Sequence, residues 1–201
     1  EPAVEKLDYD FGAQDHSLII VQTGKGHADL SAEYSSIPNE MKRVAAVFGK
    51  EVCADITEQE VIENAAKVRK EAGDRAFLRA LHFFEENKRV EKQVQALKEN
   101  RFDEFLSLIT ESGNSSWKWL QNCYVPGSEE QGITSALALT ELFIKEKGCG
   151  ACRVHGGGFA GTIQAFVRNE DVPMFKKALD GAFGEGAVTI LKVRPYGAIR
   201  I

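Results

Sequence analysis

The sequence contains no apolar run of about 18 residues, the length that a membrane-spanning helix requires. It also lacks an excess of positive charge: 25 Lys and Arg stand against 30 Asp and Glu, which gives a formal net charge of −5. Because nucleic acids and anionic membrane surfaces are bound through basic residues, neither is an expected partner. Residues 1–12 show no basic segment followed by an apolar one, so we predict no signal peptide and expect a cytoplasmic protein.

Cysteine is scarce as well, with four in 201 residues, which does not suggest a disulfide scaffold. Cys149 and Cys152 have the C-x-x-C spacing of a redox pair or of half a zinc site. A redox pair usually lies at a helix N-terminus, where the helix dipole favours the thiolate, whereas this pair follows a predicted helix and enters a predicted strand. No second cysteine pair has ligand spacing. We therefore predict reduced structural cysteines and no metal site.

The apolar pattern indicates one domain, residues 1–201, made of three consecutive sections. These are a strand and polar loop, a helical section, and a hairpin followed by a helix and closing strands, at residues 1–38, 39–148 and 150–201. Long helical runs that are separated from a few strands favour the α+β class. We expect a small, mostly antiparallel sheet with several helices packed on it.

Helix signals place the predicted elements within these sections. Thr57 followed by Glu60 is a capping box, and Asp171 is predicted to cap a helix that has Pro173 in its first turn. Helices are predicted from Pro38 to Gly49 and over 55–68, 74–98, 101–113, 129–148 and 171–184, with a short helix and a turn over 115–130. Strands are predicted over 16–24, 151–155, 161–167, 187–195 and 197–201, and a loop over 25–38.

Three consecutive glycines, Gly156, Gly157 and Gly158, interrupt the β-rich run near the end of the chain. Glycine weakens a strand because it has no side chain to pack, so the run suggests that something approaches the main chain closely. The residues alone leave three interpretations open: a tight hairpin connection, a backbone cradle for an anionic group, or an oxyanion hole. The segment lacks the Lys-Ser/Thr ending of a P-loop, and the chain lacks the G-x-S-x-G motif that an esterase-type oxyanion hole needs.

The stretch GACRVHGGGFAGTIQAFV, residues 150–167, resembles the third signature of the GHMP kinases in the form found in galactokinases. The likeness extends to HSLIIVQTGKGHADLSAEYSS, to the R-x-x-H-x-x-x-E-N pattern that begins at Arg79, and to the closing PYGAIRI. These segments occur in the family's order and span nearly the whole chain. The family's sugar-binding segment and its Pro-x-Gly-x-Gly-Leu-Ser-Ser-Ser phosphate loop are missing, so the chain resembles the ferredoxin-like C-terminal domain alone.

The resemblance implies the C-terminal half of a kinase that transfers the γ-phosphoryl group of ATP to the anomeric hydroxyl of galactose, with Mg²⁺ neutralising the phosphates. It implies that an N-terminal domain is the partner, binds most of ATP and Mg²⁺, and holds the catalytic Asp. No catalytic residue is therefore assigned in this chain, and we expect it to be inactive alone. The alternative is a free-standing α+β module that binds a small ligand through the glycine turn. A half-protein should expose an apolar patch where its partner belongs, whereas an independent module should not.

The resemblance also implies candidate binding residues. Tyr34 matches the sugar-contacting tyrosine of the family's Ser-x-Tyr segment, although a tyrosine half-buried against the next helix would look the same. The three glycines 156–158 would line the nucleotide and substrate cleft. His155, where the family has Thr or Ser, could donate to a phosphate or sugar oxygen, but a satisfied hairpin histidine is more common. Ala160 replaces a family glycine, which is tolerable if its φ is negative.

His82 and Glu86 lie four residues apart on one helical face, a spacing that half a metal site could use. No third ligand accompanies them in the sequence. We therefore favour a solvated or capping pair over a metal site.

Overall fold

Four strands form one antiparallel sheet in the computed structural model, which describes residues 5–24 and 30–193. The strands are β1 (His16–Gln22), β2 (Ala151–His155), β3 (Thr162–Arg168) and β4 (Val188–Leu191). Their spatial order is β2-β3-β1-β4, with β2 and β3 joined as a hairpin. This order is the ferredoxin-like one, so the predicted α+β class with a mostly antiparallel sheet is confirmed. The predicted strand at 197–201 lies outside the described residues, as does the end of the one at 187–195.

Seven α-helices surround this sheet within the described ranges. They are α1 (Ser31–Val47), α2 (Glu58–Glu63), α3 (Ala65–Ala72), α4 (Asp74–Lys98), α5 (Phe102–Ser115), α6 (Gly132–Lys147) and α7 (Val172–Phe183). A π-helical turn, Ser116–Leu120, continues α5. Six of the helices lie between β1 and β2 in the sequence, and α7 connects β3 to β4. The helical section is therefore one long connection between the first two strands.

The predicted bounds of α4 and α7 are confirmed to within one residue, whereas one predicted cap was wrong. Helix α4 spans the predicted 74–98. The capping box of α2 is formed in both directions: the Glu60 amide donates to Thr57 Oγ1 at 3.2 Å, and the Thr57 amide donates to Glu60 Oε2 at 2.7 Å. Helix α7 begins with Pro173 in its first turn and ends before Gly184. Asp171 precedes it, but its carboxylate makes no capping hydrogen bond and instead pairs with Lys147 at 3.2 Å.

Several boundaries were predicted wrongly, among them the start of α6, which is Gly132 rather than residue 129. Helix α1 begins at Ser31 within the predicted loop, and Pro38 lies inside it; side chains of this helix bond to α4 and to the glycine turn. The predicted helix over 55–68 is divided at Asn64 into α2 and α3. Gly113 does not end its helix: α5 runs on because Gly113 is where the helix crosses β2, and an added Cβ would lie 2.9 Å from the Cys152 carbonyl oxygen.

Each face of the sheet has its own helices. Helices α6 and α7 cover one face, where Ile19, Ile163 and Phe175 are fully buried. Helix α5 covers part of the other face through stacked and edge-on rings, with Phe105 5.6 Å from Phe166 between ring centroids. Helices α1 to α4 bury a further cluster around Val44. The glycine turn therefore lies at the ends of β2 and β3, in a sheet that has helices packed on both faces.

Apolar side chains stay exposed along the edge strand β4 and just beyond it. Ile190 is 48% exposed and Val193 is 55% exposed, and both line a shallow cavity of about 390 Å³ with Leu18. Residues 194–201 follow directly and lie outside the described part, so the open apolar patch of a half-protein stays a prediction. In residues 5–24 and 30–193, none of the helices combines the length and the apolar character that crossing a membrane requires.

Candidate functional site

The three glycines form the turn between β2 and β3, as the hairpin interpretation predicts. Gly156 and Gly158 have φ values of +71° and +82°, and Phe159 follows at +61°. This left-handed backbone is costly for residues with a Cβ, so the turn requires glycine at its first and third positions. Gly157 is required for another reason: an added Cβ there would lie 2.5 Å from Cε1 of Tyr34.

Tyr34 is the group that approaches the main chain from α1. Its hydroxyl donates a hydrogen bond to the carbonyl oxygen of Gly158 at 3.0 Å. Its ring meets Phe159 edge to face, with 5.7 Å between centroids and 82° between planes. Two candidates that the sequence places 124 positions apart are thus in direct contact. Whether the phenol also contacts a sugar stays a prediction.

Asn122 also contacts this turn, and the sequence reasoning missed it. Its Nδ2 donates to the carbonyl oxygen of Gly157 at 3.1 Å, and its main-chain carbonyl accepts from the Phe159 amide at 2.5 Å. A Cβ on Gly158 would collide with that carbonyl. The side chain is 3% exposed, and its Oδ1 has no hydrogen-bond partner among the described residues. Nothing in the sequence marks this asparagine, because the left-handed Gln121 that turns it inward ends an irregular π-helical turn.

His155 and Ala160 flank the turn. His155 is exposed, and its Nδ1 lies 3.2 Å from Oε1 of Gln164 across the hairpin, which is the satisfied hairpin histidine that we favoured. Ala160 keeps a negative φ, the condition for replacing a glycine at this point, and its amide donates to the Gly158 carbonyl at 2.8 Å. The role of His155 toward a ligand is not tested by these contacts.

A cavity of about 460 Å³ opens beside the turn. Phe159 and Ala160 form one side of it, Thr23 at the end of β1 forms another, and Gln131 and Gly132 at the start of α6 close it. Uncharged residues predominate, and Glu130 is the ionisable residue that lines the described part of the cavity. The arrangement suits the binding and orientation of a polar ligand better than proton transfer.

His82 and Glu86 do not form the solvated or capping pair that we favoured. His82 is 7% exposed, and its Nδ1 lies 2.8 Å from Ser115 Oγ. Glu86 accepts hydrogen bonds from Ser112 and from Arg153, the latter at 3.3 Å. The pair links α4 to α5 and β2, with His82 buried and Glu86 partly exposed, because the faces of these elements that meet carry the complementary groups. Burial lowers the pKa of His82 to about 4, although the charge of Glu86 opposes that shift.

The C-x-x-C cysteines are separated by the sheet. Cys152 belongs to the core beneath α6 and α7, whereas Cys149 packs with the cluster on the other face. Cys149 Sγ lies 3.2 Å from Nε2 of His16, and burial raises the pKa of Cys152 to about 12. All four cysteines are free. In the ranges that the structure describes, His, Cys, Asp and Glu nowhere gather in threes in a way that could hold a metal ion.

Comparison with known proteins finds galactokinases. The chain is 30% identical over 166 residues to the galactokinase of Glaesserella parasuis serovar 5 (strain SH0165), which covers 83% of this chain and 41% of that protein. It is 27% identical over 180 residues to the galactokinase of Thermotoga neapolitana (strain ATCC 49049), covering 88% of this chain and 47% of the relative. No protein-family model matches the chain.

The fold has a solved counterpart as well. The crystal structure of Lactococcus lactis galactokinase complexed with galactose superposes with a TM-score of 0.68 at 20% sequence identity. The match covers 89% of this chain and 45% of the other. Most of this chain is therefore matched, but it spans less than half the length of these galactokinases.

Proposed function

Because the chain corresponds in sequence and fold to the C-terminal region of galactokinases, we propose that it completes the substrate cleft of a galactokinase-like sugar kinase. The reaction moves the γ-phosphoryl group of ATP to the anomeric hydroxyl of galactose. An N-terminal domain of the same parent protein is the partner, and it binds most of ATP and Mg²⁺ and holds the catalytic carboxylate. The parent works in galactose metabolism in the cytoplasm, and residues 1–201 act as one domain of it.

The observation that carries this proposal is the contact of Tyr34 with the glycine turn. The resemblance implies that both segments line the substrate cleft although they are distant in sequence, and the hydroxyl of Tyr34 lies 3.0 Å from the Gly158 carbonyl oxygen. Phosphoryl transfer depends mainly on positioning and charge stabilisation. A wall of main chain and one phenol can position a sugar without supplying a base, which is the task that remains for this half. Catalytic residues are accordingly not assigned here.

A chimera tests the proposal. The N-terminal part of the Glaesserella parasuis galactokinase, which this chain does not match, is joined to the full 201-residue chain, and ATP-dependent phosphorylation of galactose is measured. We expect the chimera to be active and the chain alone to be inert. A chimera with Gly156→Ala is the control, since its added Cβ meets no neighbouring atom and changes only the proposed cleft wall. Phosphorylation by the chain alone contradicts the proposal, and so does a folded, ATP-binding chimera without activity.

The cavity of about 460 Å³ favours a second candidate, a free-standing module that binds a small ligand. The residues that line its described part all belong to this chain, so the cavity needs no second domain to form. Calorimetric titration of the chain alone with galactose and with ATP separates the two functions. Micromolar binding of either ligand by the chain alone supports the module. Absence of binding by the chain, together with binding by the chimera, supports the kinase half.

A further inference from the structure

Arg79 is the largest fully buried side chain among the described residues, at 1% exposure, yet it touches neither the glycine turn nor the cavity. Its guanidinium makes three hydrogen bonds of 2.9 Å. Nε donates to the main-chain carbonyl of Leu120, and Nη1 donates to Ser36 Oγ and to Glu40 Oε2. One side chain on α4 therefore holds two segments that are distant in sequence.

Each of the two segments also carries a residue that bonds to the glycine turn. Ser36 lies on α1 two residues after Tyr34, whose hydroxyl bonds to the Gly158 carbonyl. Leu120 lies two residues before Asn122, which bonds to the Gly157 carbonyl and to the Phe159 amide. We infer that Arg79 is the positioning residue of the proposed cleft: it fixes α1 and the 120–122 segment to α4, and so sets the two clamps on the glycine turn.

The electrostatics of the cluster fit this role better than a role in stability. Burial opposes ionisation of Glu40, but Arg75, Arg79 and Arg43 together lower the pKa of its carboxyl group. Burial lowers the pKa of Arg79 itself, and Glu40 opposes that shift. A buried ion pair often contributes no more to stability than well-packed apolar residues would. An apolar residue could not replace the forked guanidinium group, which bonds a hydroxyl, a carboxylate and a carbonyl on two segments at once.

Amide hydrogen exchange measured by NMR on the full chain tests the inference at the turn itself. In Arg79→Lys the ammonium group can keep the pairing with Glu40 but not the fork. We expect the Phe159 amide to exchange about tenfold faster, because its acceptor on Asn122 is no longer held, while amides in the centre of β3 stay protected. The matched control is Arg75→Lys. Arg75 also bonds Glu40, at 2.5 Å, but is not bonded to Ser36 or Leu120, so we expect Phe159 to exchange as in the original chain.

Ser36→Ala decides the question if Arg79→Lys does not fold. It removes one of the two acceptors that α1 offers Arg79, together with the bond from Ser36 Oγ to the Glu33 carbonyl, and we expect about threefold faster exchange at Phe159. The inference is overturned if Phe159 exchanges no faster in Arg79→Lys than in Arg75→Lys, or, where Arg79→Lys is unfolded, if Ser36→Ala leaves Phe159 unchanged.

The consequence for catalysis rests on the proposed function. In the chimera, Arg79→Lys should raise the KM for galactose about tenfold with less than a threefold change in kcat, since a displaced turn weakens positioning of the sugar and leaves the reacting groups of the other domain in place. An inactive original chimera counts against the proposed function, whereas the exchange at Phe159 still decides the role of Arg79. The two failures are therefore distinguishable.

Discussion

The hydroxyl of Tyr34 donates to the carbonyl oxygen of Gly158 at 3.0 Å, and the missing side chain of Gly157 leaves the space that the Tyr34 ring occupies. A helix that follows the first strand is thereby joined to a hairpin near the other end of the chain. The contact explains why the glycines are consecutive: two satisfy the backbone conformation, and the middle one admits the ring.

Tyr34→Phe removes that hydrogen bond and keeps the ring. The variant should lose about 1 kcal/mol of unfolding free energy, because the partly buried Gly158 carbonyl loses one of its two hydrogen bonds and keeps only the one from the Ala160 amide. Urea denaturation followed by circular dichroism measures the loss. In the chimera the same variant should bind galactose more weakly, if the phenol also contacts the sugar.

Tyr9→Phe is the matched control for that substitution. The Tyr9 hydroxyl is buried without a hydrogen-bond partner among the described residues, and burial raises its pKa. Its removal should leave the unfolding free energy unchanged or raise it slightly. Equal losses in the two variants would contradict a specific role of the bond between Tyr34 and Gly158.

The glycine turn predicts a graded series of alanine variants. Gly156→Ala has no close neighbour and should cost about 1 kcal/mol for its positive φ alone. Gly157→Ala should cost more, because its Cβ meets the Tyr34 ring. Gly158→Ala combines a positive φ with a collision against Asn122 and should be the most destabilising, by about 3 kcal/mol or more. Chemical denaturation ranks the three, and a uniform cost would contradict the approach of Tyr34 and Asn122.

The sequence predicts those parts of the fold whose signals are local. Helix α4 and the capping box of α2 come from apolar spacing and from the pair Thr57 and Glu60, and both were correct. Helix α1 was missed in its first two turns because Pro38 is usually a start signal, whereas here contacts with α4 and the turn outweigh the lost amide. Gly113 was predicted to end its helix because glycine usually does so. The crossing of α5 over β2, which explains the glycine, leaves no signal in the neighbouring sequence.

The residues of the candidate site likewise include some that sequence signals mark and some that they do not. Tyr34 and the glycines could be selected from motif resemblance, and the structure brings them together. Asn122 and the part played by Arg79 could not, because their importance arises from contacts with main-chain carbonyls of distant segments. Such contacts place no constraint on nearby residue types. His82 and Glu86 show the converse: a spacing that suggested half a metal site belongs to a structural link between α4, α5 and β2.

Cys149 should be the reactive thiol of the folded chain. Cys53, Cys123 and Cys152 are at most 6% exposed, and burial raises their pKa values to about 11, 12 and 12. Cys149 is partly exposed with His16 beside it. Nδ1 of His16 lies 2.8 Å from the Gln14 carbonyl, which can only accept, so Nδ1 carries a proton and Nε2 faces the thiol.

Alkylation with iodoacetamide followed by peptide mapping measures this reactivity. We expect Cys149 to react roughly a hundredfold faster than the other three cysteines, which require local opening first. His16→Asn should slow Cys149 several-fold, while His155→Asn, which removes an exposed histidine elsewhere, should not. Equal rates at all four cysteines would contradict the burial pattern.

His82 makes stability depend on pH. Its pKa is lowered from 6.5 in the unfolded chain to about 4 in the folded one, chiefly by burial. Between those two values the unfolded chain binds more protons, so the unfolding free energy falls as the pH is lowered from about 6.5 toward 4. From pH 7 to pH 5 the expected loss from this group is about 2 kcal/mol. His82→Asn keeps an amide near Ser115 and carries no titrating proton, so its unfolding free energy should be lower at pH 7 but should change about 2 kcal/mol less between pH 7 and pH 5. Urea denaturation of both proteins at the two pH values measures the difference, and parallel pH dependence in the two would mean that His82 is not held neutral by its burial between α4 and α5.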